Sequence, residues 1–300
     1  MKLRIPVLLF ALSLGLAACG GDPTKQAAGD GGSSKTITVG SAAFPENEII
    51  AEIYAQALEA KGLTVKKKLN IGAREVYIPA LTNGEVDLIP EYSGNLLSYF
   101  DAKATATSSD DVYAALQKAA PKGLRVLKPA PGEDKDSLNV TAAFAKSKNV
   151  KSIADLSKVS GLRLAANPEF KQRSYGIPGL EKVYGIKNIV FTPISDGGGP
   201  ATVKALVNGN VDVADIYSTT PSITANKLVT LDDPKSLIAA QNVVPLINEA
   251  KASPEVTAVL DAVSKALTTH ELLELNEENQ GKDKVAPAVL AKKWVKEYVK

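Results

Sequence analysis

Two tyrosines end two copies of one sequence stretch, and their rings are the first candidates for contact with a ligand. The copies are ALTNGEVDLIPEYS at residues 80–93 and ALVNGNVDVADIYS at residues 205–218; they lie 125 residues apart, and eight of the fourteen positions are identical. Tyr92 and Tyr217 occupy the same place in the two copies. A tyrosine offers a large apolar face with a polar tip, which suits a binding surface.

The same elements must position each ring. In both copies a helix ends at Ala-Leu-x-Asn, a glycine (Gly84 or Gly209) takes the left-handed position after it, and a short apolar strand follows. The tyrosine then lies at the carboxyl end of that strand, where open α/β sheets hold ligands. We expect two α/β lobes that share a cleft. The alternative is that helix-glycine-strand units are common and the match arose by chance.

Strand and helix patterns alternate along the chain, which is typical of a parallel α/β sheet. Two extended stretches, residues 138–144 and 241–247, are interpreted as crossings between the lobes. We therefore predict an α/β fold with two hinged lobes. Lobe 1 comprises residues 35–140 and 245–300, and lobe 2 comprises residues 141–244.

The amino-terminal segment has the pattern of an export signal. A basic start is followed by an apolar run at residues 5–16 that is too short to span a membrane as a helix. The Leu-Ala-Ala-Cys that follows resembles a lipobox, so Cys19 is expected to be diacylated; the alternative is an incidental thiol. We predict residues 1–18 as a signal peptide and residues 19–34, rich in Gly, Ser, Ala and Asp, as a flexible tether.

Charge and composition restrict the classes of partner. The chain has 35 basic and 33 acidic residues, and loss of Lys2 and Arg4 with the signal peptide leaves 33 of each. A chain without a basic field is not expected to bind nucleic acid. Cys19 is the only cysteine, so the lobes must be held by packing rather than by disulfides.

Residues for catalysis are scarce. His270 is the sole histidine and lies at a predicted helix start, and neither a Gly-x-Ser-x-Gly motif nor a P-loop occurs. No histidine cluster could hold zinc. We expect no catalysis, no metal and no cofactor. Two alternatives remain: an exported enzyme on a related scaffold, and a surface lipoprotein that binds another ligand class or acts as an interaction or sensor domain.

Several motifs together resemble a known family, the substrate-binding lipoproteins of osmoprotectant ABC importers. These motifs are the lipobox, Gly-Ser-x-x-Phe-x-Glu at 40–46, Asn-Gly-Glu-Val-Asp-Leu-Ile-Pro-Glu-Tyr-Ser-Gly at 83–94, Gly-Leu-Glu-Lys-Val-Tyr-Gly at 179–185 and Val-Asp-Val-Ala-Asp-Ile-Tyr-Ser-Thr at 211–219. The resemblance implies a type II periplasmic-binding-protein fold with a ligand cleft between the lobes. It implies capture of glycine betaine, choline, carnitine or a similar quaternary amine, which aromatic faces attract.

The resemblance also implies a set of ligand contacts. Tyr92 and Tyr217 match the family's cage tyrosines, and Phe44 and Asn47 lie in the segment that matches its amino-terminal motif. Other candidates follow from their place in the chain, and they are Tyr175, Tyr77, Arg74 and Asn139.

Two departures from the family pattern affect the expected cage. Val140 and Val203 stand where many members carry a tyrosine. Two expected rings are therefore absent at these positions, which keeps a different ligand class open.

The expected partners follow from the same resemblance. They are a small solute, an ABC permease with its ATPase, and the membrane through a lipid on Cys19. The expected location is the extracytoplasmic face of the cell membrane, and we expect a monomer.

Overall fold

The computed structural model describes residues 36–299. The predicted signal peptide, the tether and Cys19 lie outside the described residues. The elements of the first half are β1 (Thr36–Gly40), α1 (Pro45–Ala60), β2 (Thr64–Lys68), α2 (Arg74–Thr82), β3 (Leu88–Tyr92), α3 (Ser93–Phe100), α4 (Ser109–Ala119), β4 (Leu124–Val126), β5 (Leu138–Thr141) and α5 (Ala142–Lys148).

The elements of the second half continue the alternation. They are β6 (Arg163–Ala166), α6 (Ile177–Tyr184), β7 (Val190–Pro193), α7 (Pro200–Val207), β8 (Val213–Asp215), α8 (Ser222–Ala225), β9 (Leu228–Thr230), β10 (Val243–Asn248), α9 (Pro254–Ala266), α10 (Thr269–Gln280) and α11 (Pro287–Tyr298). Among these described helices, none is long and apolar enough to cross a membrane.

The first lobe is built on a five-stranded sheet with the order β2-β1-β3-β10-β4. β1 is parallel to β2 and β3, and β10 is antiparallel to β3 and β4. The helix α1 is buried on nearly every side because it lies between this sheet and the carboxyl-terminal helices, and Ile49, Ile53 and Tyr54 are fully buried there. The helices α2, α3 and α4 contribute to a second core cluster of the same lobe.

The second lobe is built on a five-stranded sheet with the order β7-β6-β8-β5-β9. β6 is parallel to β7 and β8, whereas β5 is antiparallel to β8 and β9. Each sheet thus combines parallel strands, joined through helices, with antiparallel strands near the crossings.

The two crossings between the lobes enter strands directly. Residues 138–141 form β5 in the second sheet, and residues 243–248 form β10 in the first sheet. The predicted boundaries at 140/141 and 244/245 therefore fall inside these two strands. The backbone passes between the sheets a few residues earlier in each case.

One segment differs from the sequence expectation. Residues 138–144 were expected to be extended throughout, but Ala142 begins the helix α5. The physical reason is a cap: the Thr141 side chain accepts a hydrogen bond from the Phe144 backbone N–H at 3.2 Å.

The repeated stretch has the predicted local structure in both lobes. Gly84 and Gly209 have φ of 75° and 72°, the left-handed conformation expected after each helix. The repeated aspartates that follow act alike. Asp87 accepts a hydrogen bond from the Thr38 backbone N–H at 2.8 Å, and Asp212 accepts one from the Arg163 backbone N–H at 3.0 Å, so each ties its repeat to the neighbouring strand.

Candidate functional site

A cavity of about 230 Å³ lies between the two lobes and takes side chains from both. Tyr92 reaches it from the carboxyl end of β3, and Tyr217 reaches it two residues after β8. Phe44, Tyr77 and Arg74 also line it. The cavity therefore lies where the strand ends of the two sheets face each other, the usual ligand position in open α/β folds.

Three rings form one wall of this cavity. The Phe44 ring lies between the two repeat tyrosines, with its centroid 5.8 Å from that of Tyr92 and 5.2 Å from that of Tyr217. Phe44 stands at the extended position before α1, where Pro45 starts the helix. Gly197 of the second lobe packs closely against Phe44. A Cβ added at Gly197 would lie only 3.0 Å from the Phe44 Cβ, so a larger residue there would crowd the Phe44 side chain. The lobes are therefore in contact at this wall.

A buried carboxyl group fixes the hydroxyl end of the Tyr92 ring. The Tyr92 hydroxyl donates to Oε1 of Glu46 at 2.7 Å. Oε2 of Glu46 accepts from the Thr219 hydroxyl and from Nδ2 of Asn276, both at 2.6 Å. Because Thr219 follows β8 of the second lobe, Glu46 joins the lobes behind the aromatic wall.

Two aspartates come from the first crossing. Asp134 accepts from the Thr219 backbone N–H at 3.1 Å, and Asp136 accepts from Nδ2 of Asn95 at 2.6 Å. Both aspartates and Asn95 line the cavity. Burial raises the pKa of Glu46, and burial together with the Glu46 charge raises the pKa of Asp134.

The positive charge of Arg74 is matched within its own lobe. Its Nε and Nη2 donate to the two carboxylate oxygens of Glu91, each at 2.7 Å, and the Tyr77 hydroxyl donates to Oε1 of Glu91 at 2.7 Å. All three side chains are buried. The bidentate geometry fixes the Arg74 guanidinium at the edge of the cavity.

A second arginine lines the cavity from the other lobe. Arg173 donates from Nη1 to the Tyr175 hydroxyl at 2.9 Å, and its Nη2 lies 3.3 Å from Oε2 of Glu75 in the first lobe. Tyr175 is not among the residues that line the cavity. Its ring packs against Phe170 in the core of the second lobe, and Tyr175 also lines a neighbouring pocket between the lobes.

Two other candidates are engaged by the backbone. Asn47 accepts from the Ala42 backbone N–H at 2.7 Å and donates to the Pro90 carbonyl at 2.9 Å, which holds the turn before α1. Asn139 is fully buried, donates to the Ser137 carbonyl and accepts from the Thr230 hydroxyl. Neither lines the cavity.

Val140 and Val203, the two residues that depart from the family pattern, also lie away from the cavity. Val140 is buried in the core of the second lobe, and Val203 lies on α7 in a separate core cluster of that lobe. Neither lines the cavity.

Comparison with known proteins decides the family. Residues 35–297 match the family of the substrate binding domain of ABC-type glycine betaine transport systems. The chain belongs to this family. Its members bind a small solute outside the cytoplasm and work with a permease, and they are transport proteins rather than enzymes.

Individual relatives agree with this family. The glycine betaine-binding protein YehZ of Escherichia coli K12 is 29% identical over 254 residues, which covers 80% of this chain and 83% of the relative. The carnitine transport binding protein OpuCC of Listeria monocytogenes is 28% identical over 302 residues, which covers 96% and 94%. A solved glycine betaine/carnitine/choline ABC transporter structure, 24% identical, aligns with a TM-score of 0.68 over 87% of this chain and 98% of its own, and supports the two-lobe type II fold.

Some residues that line the cavity of this binding protein were not among the sequence candidates. Asn95, Asp134, Asp136 and Asn167 line it. Asn167 donates from Nδ2 to the Tyr217 hydroxyl at 3.0 Å and accepts from the Gly197 backbone N–H at 3.1 Å, so it orients the ring. One feature of the sequence could have indicated Asn167 as a site residue: it directly follows the strand β6, at the end of the sheet where ligands bind.

The buried Glu46 is expected to make the stability of this binding protein depend on pH. Its folded-state pKa lies above the ordinary value of 4.5, so the folded protein binds this proton more tightly than the unfolded chain does. Its contribution to stability is therefore fully present below the unfolded pKa and is lost as the pH rises through the folded pKa. We expect Glu46→Gln to flatten this part of the pH dependence and to be at least as stable as the wild type near neutral pH.

Urea unfolding between about pH 4 and about pH 8 measures this effect. The matched control is Glu59→Gln, an exposed glutamate at the end of the same helix, which should leave the pH dependence unchanged. A wild-type slope that persists in Glu46→Gln would contradict the assignment.

Proposed function

We propose that this chain captures a small solute with a quaternary-ammonium group, either a cation or a zwitterion, between its lobes and delivers it to an ABC permease. One observation carries the proposal: Phe44, Tyr92 and Tyr217, contributed by both lobes, form a continuous aromatic wall on the cavity between them. A quaternary ammonium cannot donate a conventional hydrogen bond. Aromatic faces and carboxylates are therefore the groups that attract it.

The cavity has charges that suit such a solute. Asp134 and Asp136 supply negative charge for the ammonium group. The guanidinium groups of Arg74 and Arg173, each of which also pairs with a glutamate, line the cavity and would face the carboxylate of a zwitterion. The relatives named for glycine betaine and carnitine support this solute class. We include Tyr77 in the proposed site because it lines the cavity and hydrogen-bonds the carboxylate that holds Arg74.

Closure of the lobes is the proposed signal to the permease. Contacts between the lobes at Phe44–Tyr217, Glu46–Thr219 and Arg173–Glu75 stabilise the closed arrangement. A solute that contacts both lobes shifts the population towards this arrangement. The recognised form is then the closed, loaded receptor.

Calorimetric titration of the purified protein tests the proposal. We expect saturable binding of at least one of glycine betaine, choline and carnitine, weakened by about 1 kcal/mol or more in Tyr217→Ala because a cation–aromatic contact is lost. The matched control is Tyr113→Ala, a ring on α4 away from the cavity. No saturable binding of any quaternary amine by the folded protein would refute the proposed solute class.

We also propose that the receptor is a monomer held at the extracytoplasmic face of the cell membrane by a lipid on Cys19. The Leu-Ala-Ala-Cys sequence supports this assignment. We expect Cys19→Ala to abolish incorporation of a labelled fatty acid and to move the protein from the membrane fraction to the soluble fraction. A labelled, membrane-bound Cys19→Ala protein would contradict the assignment.

A further inference from the structure

Asp215, at the end of β8, has an unusual environment. Its side chain is only 2% exposed, and its Oδ1 has no hydrogen-bond partner among residues 36–299. A buried carboxylate oxygen without a donor is costly because the lost hydration is not replaced. The group therefore requires either a proton or a nearby cation.

Strand register brings Asp215 to the cavity side. Leu138 pairs with Asp215, and the antiparallel pairing continues through the Ile216 N–H to Ser137 carbonyl bond at 2.9 Å and the Ser218 N–H to Lys135 carbonyl bond at 2.8 Å. Residue 136 is thus opposite residue 217. Because side chains alternate between faces, Asp136, Asp215 and Tyr217 share one face, and Asp136 and Tyr217 line the cavity.

The strand register makes the carboxyl groups of Asp136 and Asp215 diagonal neighbours on one face, and a hydrogen bond between them contributes to the raised pKa of Asp215. Two neighbouring buried carboxylates cannot both be ionised at little cost, so one proton is held between them. Burial, and next the charge of Asp136, raise the pKa of Asp215. A shared proton also supplies the partner that Oδ1 of Asp215 otherwise lacks.

The other charged groups near Asp136 and Asp215 do not remove the need for a proton or a cation at this pair. Asp134 adds negative charge and raises the pKa of Asp215, whereas the Arg173 guanidinium lowers it. Arg173 is already engaged with Glu75 and Tyr175. The Tyr217 phenol, whose pKa burial raises further, stays neutral beside the pair.

We propose that Asp136 and Asp215 form the counter-ion for the cationic group of the solute, and that binding of a permanent cation expels the proton that they share. The inference rests on the proposed function and deepens it. The O–H bond of the pair breaks, the proton passes to solvent buffer, and the cation replaces its charge beside the Tyr217 ring. No other bond changes.

The sign of the pH effect follows from this exchange. The bound cation lowers the pKa of Asp215, so proton release occurs between its lower pKa in the complex and its higher pKa in the free protein. Affinity for the cation rises with pH across this window. The affinity reaches a plateau above the pKa of Asp215 in the free protein, where no proton remains to be expelled.

Titration of the wild-type protein with choline, in buffers of different ionisation enthalpy between about pH 5 and about pH 8, counts the released protons. We expect release that approaches one proton per choline on the steep part of the curve, with affinity changing by up to about tenfold per pH unit. Saturable binding without proton release at any pH would overturn this inference alone. Absence of binding by choline, glycine betaine and carnitine would instead refute the proposed function.

Two variants separate the roles of the pair. Asp215→Asn should abolish the proton release and flatten the pH dependence, whereas Asp136→Asn should weaken choline about tenfold or more at neutral pH. Asp110→Asn, an exposed aspartate at the start of α4, should change neither quantity. Release that persists in folded Asp215→Asn would overturn the assignment, and if that variant does not fold, the wild-type proton count still decides.

Discussion

Arg74→Met is expected to lower the free energy of unfolding by about 3–5 kcal/mol, the usual consequence of removing one partner from a buried ion pair. Arg74 and Glu91 are 6% and 0% exposed, and two hydrogen bonds of 2.7 Å join them. Methionine retains most of the apolar stem but leaves the Glu91 carboxylate buried without its cation. The Tyr77 hydroxyl and the Tyr92 backbone N–H then remain as its donors.

A double variant tests whether the uncompensated charge is the cause. Arg74→Met combined with Glu91→Gln should recover most of the loss, because the neutral amide oxygen still accepts from Tyr77 while no buried charge remains. Lys68→Met removes one partner of the exposed Lys68–Glu85 pair and should cost at most about 1 kcal/mol. Chemical unfolding with each variant measures these differences. An Arg74→Met loss no larger than that of Lys68→Met would refute the interpretation.

Phe44→Ala is expected to weaken binding of the quaternary amine more than loss of either tyrosine, by about tenfold to a hundredfold. The Phe44 ring contacts both Tyr92 and Tyr217, so its removal deletes one aromatic face and releases the two others from their positions. The tyrosine hydroxyls keep their bonds to Glu46 and Asn167. We therefore expect Phe44→Ala to lower the affinity for the solute and to leave the protein folded.

Two comparisons make this prediction specific. Phe44→Leu, which keeps apolar volume without a π face, should show most of the loss in affinity if the ring attracts a cation. Tyr113→Ala provides the matched ring deletion outside the cavity. Equal affinity of Phe44→Leu and wild type would indicate that Phe44 only fills space.

The repeat made the aromatic part of the site predictable. Because a helix, a left-handed glycine and a strand fix where the next residues point, the two copies were enough to place Tyr92 and Tyr217 at the ends of two strands. The family motif added Phe44. Tyr77 and Arg74 followed from their place in the chain, although the pairing of Arg74 with Glu91 did not.

Asparagine candidates show where local reasoning ends. Asn47 and Asn139 lie in segments expected near the ligand, but other groups of the protein already engage both side chains. Buried polar groups bind whichever partner the fold supplies. One partner of each asparagine is distant in sequence, the Pro90 carbonyl for Asn47 and the Thr230 hydroxyl for Asn139, so no local pattern reveals it.

The amino-acid sequence by itself determined the alternation of strands and helices, the two-lobe α/β class and the rings that end the repeats, because these depend on local periodicity and on backbone conformation. Only the tertiary structure decided which charges meet in the cleft. Asp136 and Asp215 are 79 residues apart in the sequence and become neighbours through antiparallel register, while Glu46 meets Thr219 only where the lobes touch. Such contacts depend on how the two sheets are connected and packed, and a single sequence carries no local signal for them.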